Sequence, residues 1–178
     1  MMSAYRVLTR WWTVFALAAS LSLLAAAHAF ERFGGLAPCN LCLKQREVYW
    51  VAVAIALTAS LWALVSRASR GTPRVAAFLL FIVFLTGAIT AGFHAGGEIG
   101  WWELPAICSG GAGEINLERL AALAMGTAEV EPIVACDAVT WRFLGLSMAG
   151  WNTLIAAALA IFSLLAAKRP KDARAPRG

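Results

Sequence analysis

Charge is what this 178-residue sequence has least of: Asp, Glu, Lys and Arg make up 14% of it, against 61% hydrophobic residues. A soluble globular domain carries about 25% charged and about 45–50% apolar residues. The deficit excludes a disordered chain, a coiled coil and an ordinary cytosolic enzyme, and it points to a one-domain membrane protein. Cysteine is scarce as well. Four thiols are too few for a disulfide-built scaffold, but an even number in a membrane chain makes their compartment the deciding question. The net charge of +5 would suit nucleic acid only if the basic residues gathered on one solvated face. They flank apolar runs instead, so no nucleic-acid partner is expected. There is no internal repeat, and no alternating pattern of a membrane β-barrel.

Charge is wholly absent from four segments, residues 11–30, 48–66, 75–95 and 143–167. Each reaches the roughly 20 helical residues needed to cross a hydrocarbon core. Helices or closed barrels are the only spanning solutions, so the expected fold is an all-α integral membrane four-helix bundle. Residues 1–10 precede it, loops 31–47 and 96–142 share one side, and a basic tail, 168–178, follows. Trp11, Trp12, Trp50, Trp101, Trp102 and Trp141 lie at or near segment ends, where amphipathic rings favour the interface. The charges then sort by side. The side with both termini and the 67–74 connection carries ten Lys or Arg against Asp172, a net +9; the loop side carries five against nine Asp or Glu, a net −4. The Lys/Arg bias places both termini in the cytoplasm and both loops outside.

Arg6, Arg10, an apolar stretch and Ala27-His28-Ala29 imitate a cleaved signal peptide, but the run of about 17 residues exceeds the usual h-region of about 7–15. Cleavage would not move the cysteines to the other side. The outer connection 96–142 exceeds the length at which loops, beyond about 12–15 residues, are usually functional or disordered. Within it, Asn116 followed by Leu117, Leu120, Ala121, Leu123 and Ala124, with Gly126 beyond, reads as a short capped helix. With no soluble core nearby, its apolar face is expected to lie on the membrane surface.

All four cysteines, Cys39, Cys42, Cys108 and Cys136, fall in the two outer loops. In an oxidising bacterial periplasm such thiols are paired, metal-bound or turning over. Cys39-Asn40-Leu41-Cys42 has the C-x-x-C spacing of redox-active disulfides and stands just before the second span. Helix N-terminal N–H groups and the helix dipole favour a thiolate there. Arg46, one turn after Cys42, adds a permanent positive charge on the same face. Other readings remain open on spacing alone. A four-cysteine zinc site would prefer a second C-x-x-C, two static disulfides would brace the loops, and Arg46 would serve equally as an interfacial anchor.

Three stretches of the sequence run together: Pro38-Cys39-Asn40-Leu41-Cys42-Leu43-Lys44-Gln45-Arg46; Ala91-Gly92-Phe93-His94-Ala95-Gly96-Gly97-Glu98-Ile99-Gly100-Trp101-Trp102 leading to Cys108; and Cys136-Asp137 with Trp141 and Phe143-Leu144-Gly145-Leu146-Ser147-Met148-Ala149-Gly150-Trp151-Asn152. Together they resemble the disulfide bond formation protein B (DsbB) family, over roughly residues 11 to 166. Phe93, where tyrosine is common, and Leu104 before Pro105, where glycine is common, depart from its pattern.

The resemblance implies an inner-membrane oxidoreductase that reoxidises a periplasmic DsbA-like dithiol oxidase and reduces a membrane quinone, ubiquinone or menaquinone. It further implies that Cys108 and Cys136 form the disulfide that accepts electrons, with Cys108 attacked by the partner. Cys136 then exchanges with Cys39, and Cys42 is the thiolate that meets the quinone. Arg46 matches the family's quinone-site arginine, where a fixed cation stabilises developing negative charge. His94, at the outer end of the third span, is a candidate to bond a quinone carbonyl or pass protons, or simply to bond a backbone carbonyl; His28 is read as structural. No resident metal is expected. The alternatives are a vitamin K epoxide reductase-like thiol oxidoreductase and a non-catalytic scaffold braced by two disulfides.

Overall fold

The computed structural model describes residues 2–65, 72–105, 108, 125 and 134–168. The surface helix expected near 116–126 and most of the basic tail lie outside the described residues. Five helices and one small hairpin make up the described architecture: α1 (Met2–Arg10), α2 (Trp12–Gly34), α3 (Asn40–Val65), α4 (Arg74–Glu98), β1 (Arg142–Phe143), β2 (Leu146–Ser147) and α5 (Met148–Lys168). Helices α2 to α5 are long and apolar enough to cross a membrane. Large apolar side chains such as Phe15, Leu61, Trp62, Phe78, Ile89 and Ile161 face outward, the reverse of a soluble protein. Lipid is as apolar as they are, so their exposure costs nothing in a bilayer.

The core is made of small residues. Helix α4 packs most extensively on α5, where Ala88, Ala91, Ala156 and Ala160 are buried and Gly87 faces Ala156. Close backbone approach through small side chains is the usual basis of helix association in membranes. At the end opposite the cysteines, the buried Trp12 indole donates to Ser163 Oγ at 2.8 Å. Thr72 Oγ1 accepts the Thr13 N–H at 3.1 Å, and the Thr72 N–H reaches Arg10 O at 2.8 Å, tying the start of α2 to the approach of α4.

The helices outrun the charge-free segments on the outer side. Helix α2 continues past Glu31 and Arg32 to Gly34, and stops because Gly35 takes a left-handed φ of 65° with its N–H on Phe30 O. Helix α3 begins at Asn40, not 48, so the first outer connection shrinks to residues 35–39. Charge marks the hydrocarbon boundary but not the end of a helix, because the backbone ladder continues into water. The fourth spanning helix, α5, starts later than its apolar run does. Residues 142–147 form a two-stranded antiparallel hairpin pairing Arg142 with Ser147 and Phe143 with Leu146. Leu144 and Gly145, at φ 50° and 82°, give the two left-handed residues of a type I′ turn.

Glycine is required where α4 meets the outer loop. A Cβ on Gly96 would lie 2.1 Å from the Trp102 ring, whose indole donates to Phe93 O at 3.0 Å and stacks on the Phe93 ring at 5.6 Å. Gly96→Ala must push that indole away. Overpacking of this kind costs about 1–3 kcal/mol, so the variant is expected to unfold at a lower temperature in detergent, with a shifted tryptophan emission.

Candidate active site

Cys39 occupies the N-cap of α3: its carbonyl accepts the Leu43 N–H at 3.1 Å and its Sγ accepts the Cys42 N–H at 3.3 Å. The helix-start N–H assigned from sequence to Cys42 is thus received by Cys39. Cys42 sits in the first turn, half-buried, with the two sulfurs 2.9 Å apart and the Cys39 thiol donating. That donated bond, followed by burial, pushes Cys39 up to about 12. At neutral pH Cys39 is then held as the thiol, whereas alkylating agents attack the thiolate. Iodoacetamide titration of the reduced protein is therefore expected to label Cys42 well before Cys39 as the pH is raised, read by mass spectrometry of the two-cysteine peptide.

Cys108 and Cys136 lie 28 residues apart in sequence and pack together against Cys39, with Leu41, Cys42 and Leu104 around them. Their backbones are joined by the Cys136 N–H on Cys108 O at 2.7 Å. Cys136 is 1% exposed, and its sulfur is within hydrogen-bonding reach of Cys108, of Cys39 and of the Leu41 N–H. Burial raises Cys136 above an ordinary thiol and pushes Cys108 up to about 12. Cys136 therefore stands between the other two, touching both.

A polar chain runs from the bundle to this cluster. The Tyr49 hydroxyl donates to Asn152 Oδ1, and Asn152 Nδ2 donates to Gln45 Oε1 at 2.6 Å. Gln45 has only Nε2 left to offer His94 Nδ1, at 3.0 Å, so the imidazole proton belongs on Nε2. From there it meets Cys136 O at 2.9 Å, with Cys39 Sγ at 3.7 Å. His94 is brought into the site. His28 is not: it is largely exposed, 3.8 Å from Glu31.

Arg46, one turn beyond Cys42, has side-chain exposure of 15% and pairs through Nη1 with Glu31 of α2; its Nη2 donates to Ala27 O at 3.2 Å. Cys42, Arg46, His94 and Glu98 open onto one cavity of about 330 Å³, faced on the other side by Leu23, Leu24, Ala27 and Phe30. This is the size and character of a small-molecule site, mostly apolar with a few convergent polar groups. A planar, lipid-soluble quinone head group would suit those walls: an apolar face from α2, a fixed cation, a thiol pair and a buried carboxyl. The donor atoms of Cys39, Cys42 and His94 also fall within 4.8 Å of one another. Two sulfurs on one tetrahedral zinc would stand about 3.8 Å apart, from bonds of about 2.3 Å. The two sulfurs stand closer than that, at 2.9 Å, and the His94 Nε2 proton is committed to Cys136 O.

The sequence that builds this site has known relatives. The family model for disulfide bond formation protein DsbB matches residues 9–166. Disulfide bond formation protein B of Methylococcus capsulatus is 37% identical over 155 residues, covering 81% of this chain and 85% of the relative. The protein of the same description from Aromatoleum aromaticum is 29% identical over 165 residues, 85% and 92% of the two chains, and that of Xylella fastidiosa (strain 9a5c) 36% over 151 residues, 80% of each. The chain belongs to the disulfide bond formation protein B family. It is a multi-pass membrane thiol oxidoreductase of the disulfide-generating, quinone-linked class.

Sequence reasoning picked out the four cysteines, Arg46 and His94 as site residues. It passed over Gln45, Tyr49, Asn152, Glu31 and Glu98. The i, i+4 spacing of His94 and Glu98 on α4 was the one available signal; the others lie on helices whose pairing no single sequence displays.

Proposed function

We propose that this chain reoxidises a periplasmic DsbA-like dithiol oxidase and delivers the electron pair to ubiquinone or menaquinone in the bacterial inner membrane, with both termini in the cytoplasm. The observation that carries the reading is the position of Cys136, in reach of both Cys108 and Cys39, with Cys42 facing the cavity. A partner thiolate attacks Cys108 of the Cys108–Cys136 disulfide and releases Cys136 as a thiolate. Cys136 attacks Cys39 of the Cys39–Cys42 disulfide and releases Cys42. The partner's second thiolate breaks the mixed disulfide, leaving the partner oxidised and Cys108 free to close again on Cys136, which releases Cys39. Two electrons now reside on Cys39 and Cys42.

A bound quinone supplies the two-electron acceptor. Arg46 would hold it and offset negative charge on its oxygen, the α2 wall would exclude water, and the Gln45–Asn152–Tyr49 chain holds His94 in one tautomer. The Lys/Arg asymmetry supports the orientation. The test is a purified, delipidated protein mixed with a reduced DsbA-type oxidase and, separately, a ubiquinone and a menaquinone analogue. Loss of quinone absorbance coupled to partner oxidation is expected with at least one of them; no quinone-dependent oxidation with either overturns the reading.

A further inference from the structure

Glu98 closes α4 one turn beyond His94. Its side chain is 7% exposed, Oε1 stands 3.7 Å from His94 Nε2, and Oε2 is buried with no hydrogen-bond partner among the described residues. The carboxyl lines the cavity together with Cys39, Cys42 and His94. A buried carboxylate oxygen without a donor is strongly disfavoured. It is relieved either by holding a proton or by meeting a donor that arrives with a ligand. The neighbouring cation does not relieve it, since Arg46 is engaged by Glu31 and Ala27 O.

The proton balance of the thiol pair gives this carboxyl a task. When the Cys39–Cys42 bond forms, the Cys39 S–H bond breaks and the electron pair leaves for the quinone, whose reduction to a hydroquinone takes two protons, one released by Cys39 and one drawn from water. Cys39 is buried and lines the cavity, so its proton must be taken up there. His94 is the nearest ring, but Nδ1 accepts from Gln45 and Nε2 carries the hydrogen donated to Cys136 O. The imidazole has no lone pair free. Cys39 Sγ and Glu98 Oε1 each lie 3.7 Å from that same Nε2 and line the same cavity, so one water between them would complete a path from thiol to carboxyl. The other titratable or charged groups on the cavity walls are Cys42, Cys136, Arg46 and Tyr49, with Glu31 paired behind Arg46; none is an available base.

We propose that Glu98 carries the Cys39 proton, taking it up as the Cys39–Cys42 disulfide forms and returning it to the reduced acceptor. The inference rests on the thiol-to-quinone reading, and one of its tests does not need a quinone. Glu98→Gln is nearly isosteric and cannot accept the proton; Glu98→Asp can. Removing a positioned proton carrier costs about 100-fold or more. Reoxidation of the reduced pair by a ubiquinone analogue is expected to slow by about that factor in Glu98→Gln, with its pH dependence flattened and KM unchanged, while Glu98→Asp stays within about tenfold of wild type. Exchange at Cys108–Cys136 with the reduced partner should be untouched in both. In quinone-free protein, the oxidised-minus-reduced infrared difference spectrum should contain a carboxyl C=O band that shifts in D2O and is missing from Glu98→Gln. Wild-type reoxidation rates in Glu98→Gln, or a wild-type spectrum without that band, would overturn the proposal. A wild-type protein that shows the band but reduces no quinone would count against the functional reading and not against Glu98.

Discussion

Cys42→Ser is expected to abolish quinone reduction, by at least about 1,000-fold, while leaving partner capture at Cys108 intact. The hydroxyl that replaces the thiol can neither form a disulfide with Cys39 nor supply a thiolate at neutral pH. The consequence upstream is more specific than loss of activity. Without a Cys39–Cys42 disulfide, Cys136 has no acceptor, so the Cys108–Cys136 disulfide should oxidise no more than one equivalent of partner and then remain reduced, visible on a non-reducing gel as partner oxidation that stops after a single turnover. Cys39→Ser leaves Cys42 as a lone thiol near the cavity, and should stall at the same point while retaining an alkylatable Cys42. The pair of variants separates the two roles because Cys39 is buried between Cys136 and His94, whereas Cys42 is half-buried at the cavity. Full quinone turnover in Cys42→Ser would dismiss the relay.

Residue patterning revealed the spanning helices because lipid imposes a single rule on every residue of a span, and charges violate it visibly. It misplaced helix ends at Cys39 and at Leu144-Gly145 for a common reason. Ends are set by backbone devices, an N-cap sulfur and a type I′ turn with leucine at positive φ, that hydropathy does not register. The cysteines were legible because their chemistry is rare and their spacing restrictive. Their convergence was not. Cys136 meets Cys39 across 97 residues of chain, and only the folded loop brings them together. The Tyr49–Asn152–Gln45–His94 chain was hidden for a further reason: each member is an ordinary polar residue, and its role exists only as one link held by the next across α3, α4 and α5. Glu98 was counted among the outer charges, whereas in the fold it is withdrawn from water into the cavity.

Replacing Arg46 should separate its two tasks. Through Nη1 and Nη2 the guanidinium bridges α3 to Glu31 and the Ala27 carbonyl of α2, and the same group faces the cavity. Arg46→Met removes both functions. It leaves the partly exposed Glu31 unpaired at the cavity wall, where its negative charge would oppose the charge developing on a quinone oxygen. A rise in quinone KM of about 10- to 100-fold, equivalent to roughly 1.4–2.7 kcal/mol, is expected together with a fall in kcat. Stability should drop by only about 1 kcal/mol, the usual scale for a pair that water still reaches. Arg46→Lys keeps the charge but not the planar fork, so it should hold one of the two α2 contacts and lie between wild type and Met in KM. The double variant Glu31→Gln/Arg46→Met decides which task matters to catalysis. Removing the orphaned carboxylate should restore the thermal midpoint, because no unpaired charge remains, yet quinone KM should stay high, because the cation is still absent. Recovery of KM in the double variant would mean that Arg46 acts only by neutralising Glu31 and anchoring α2.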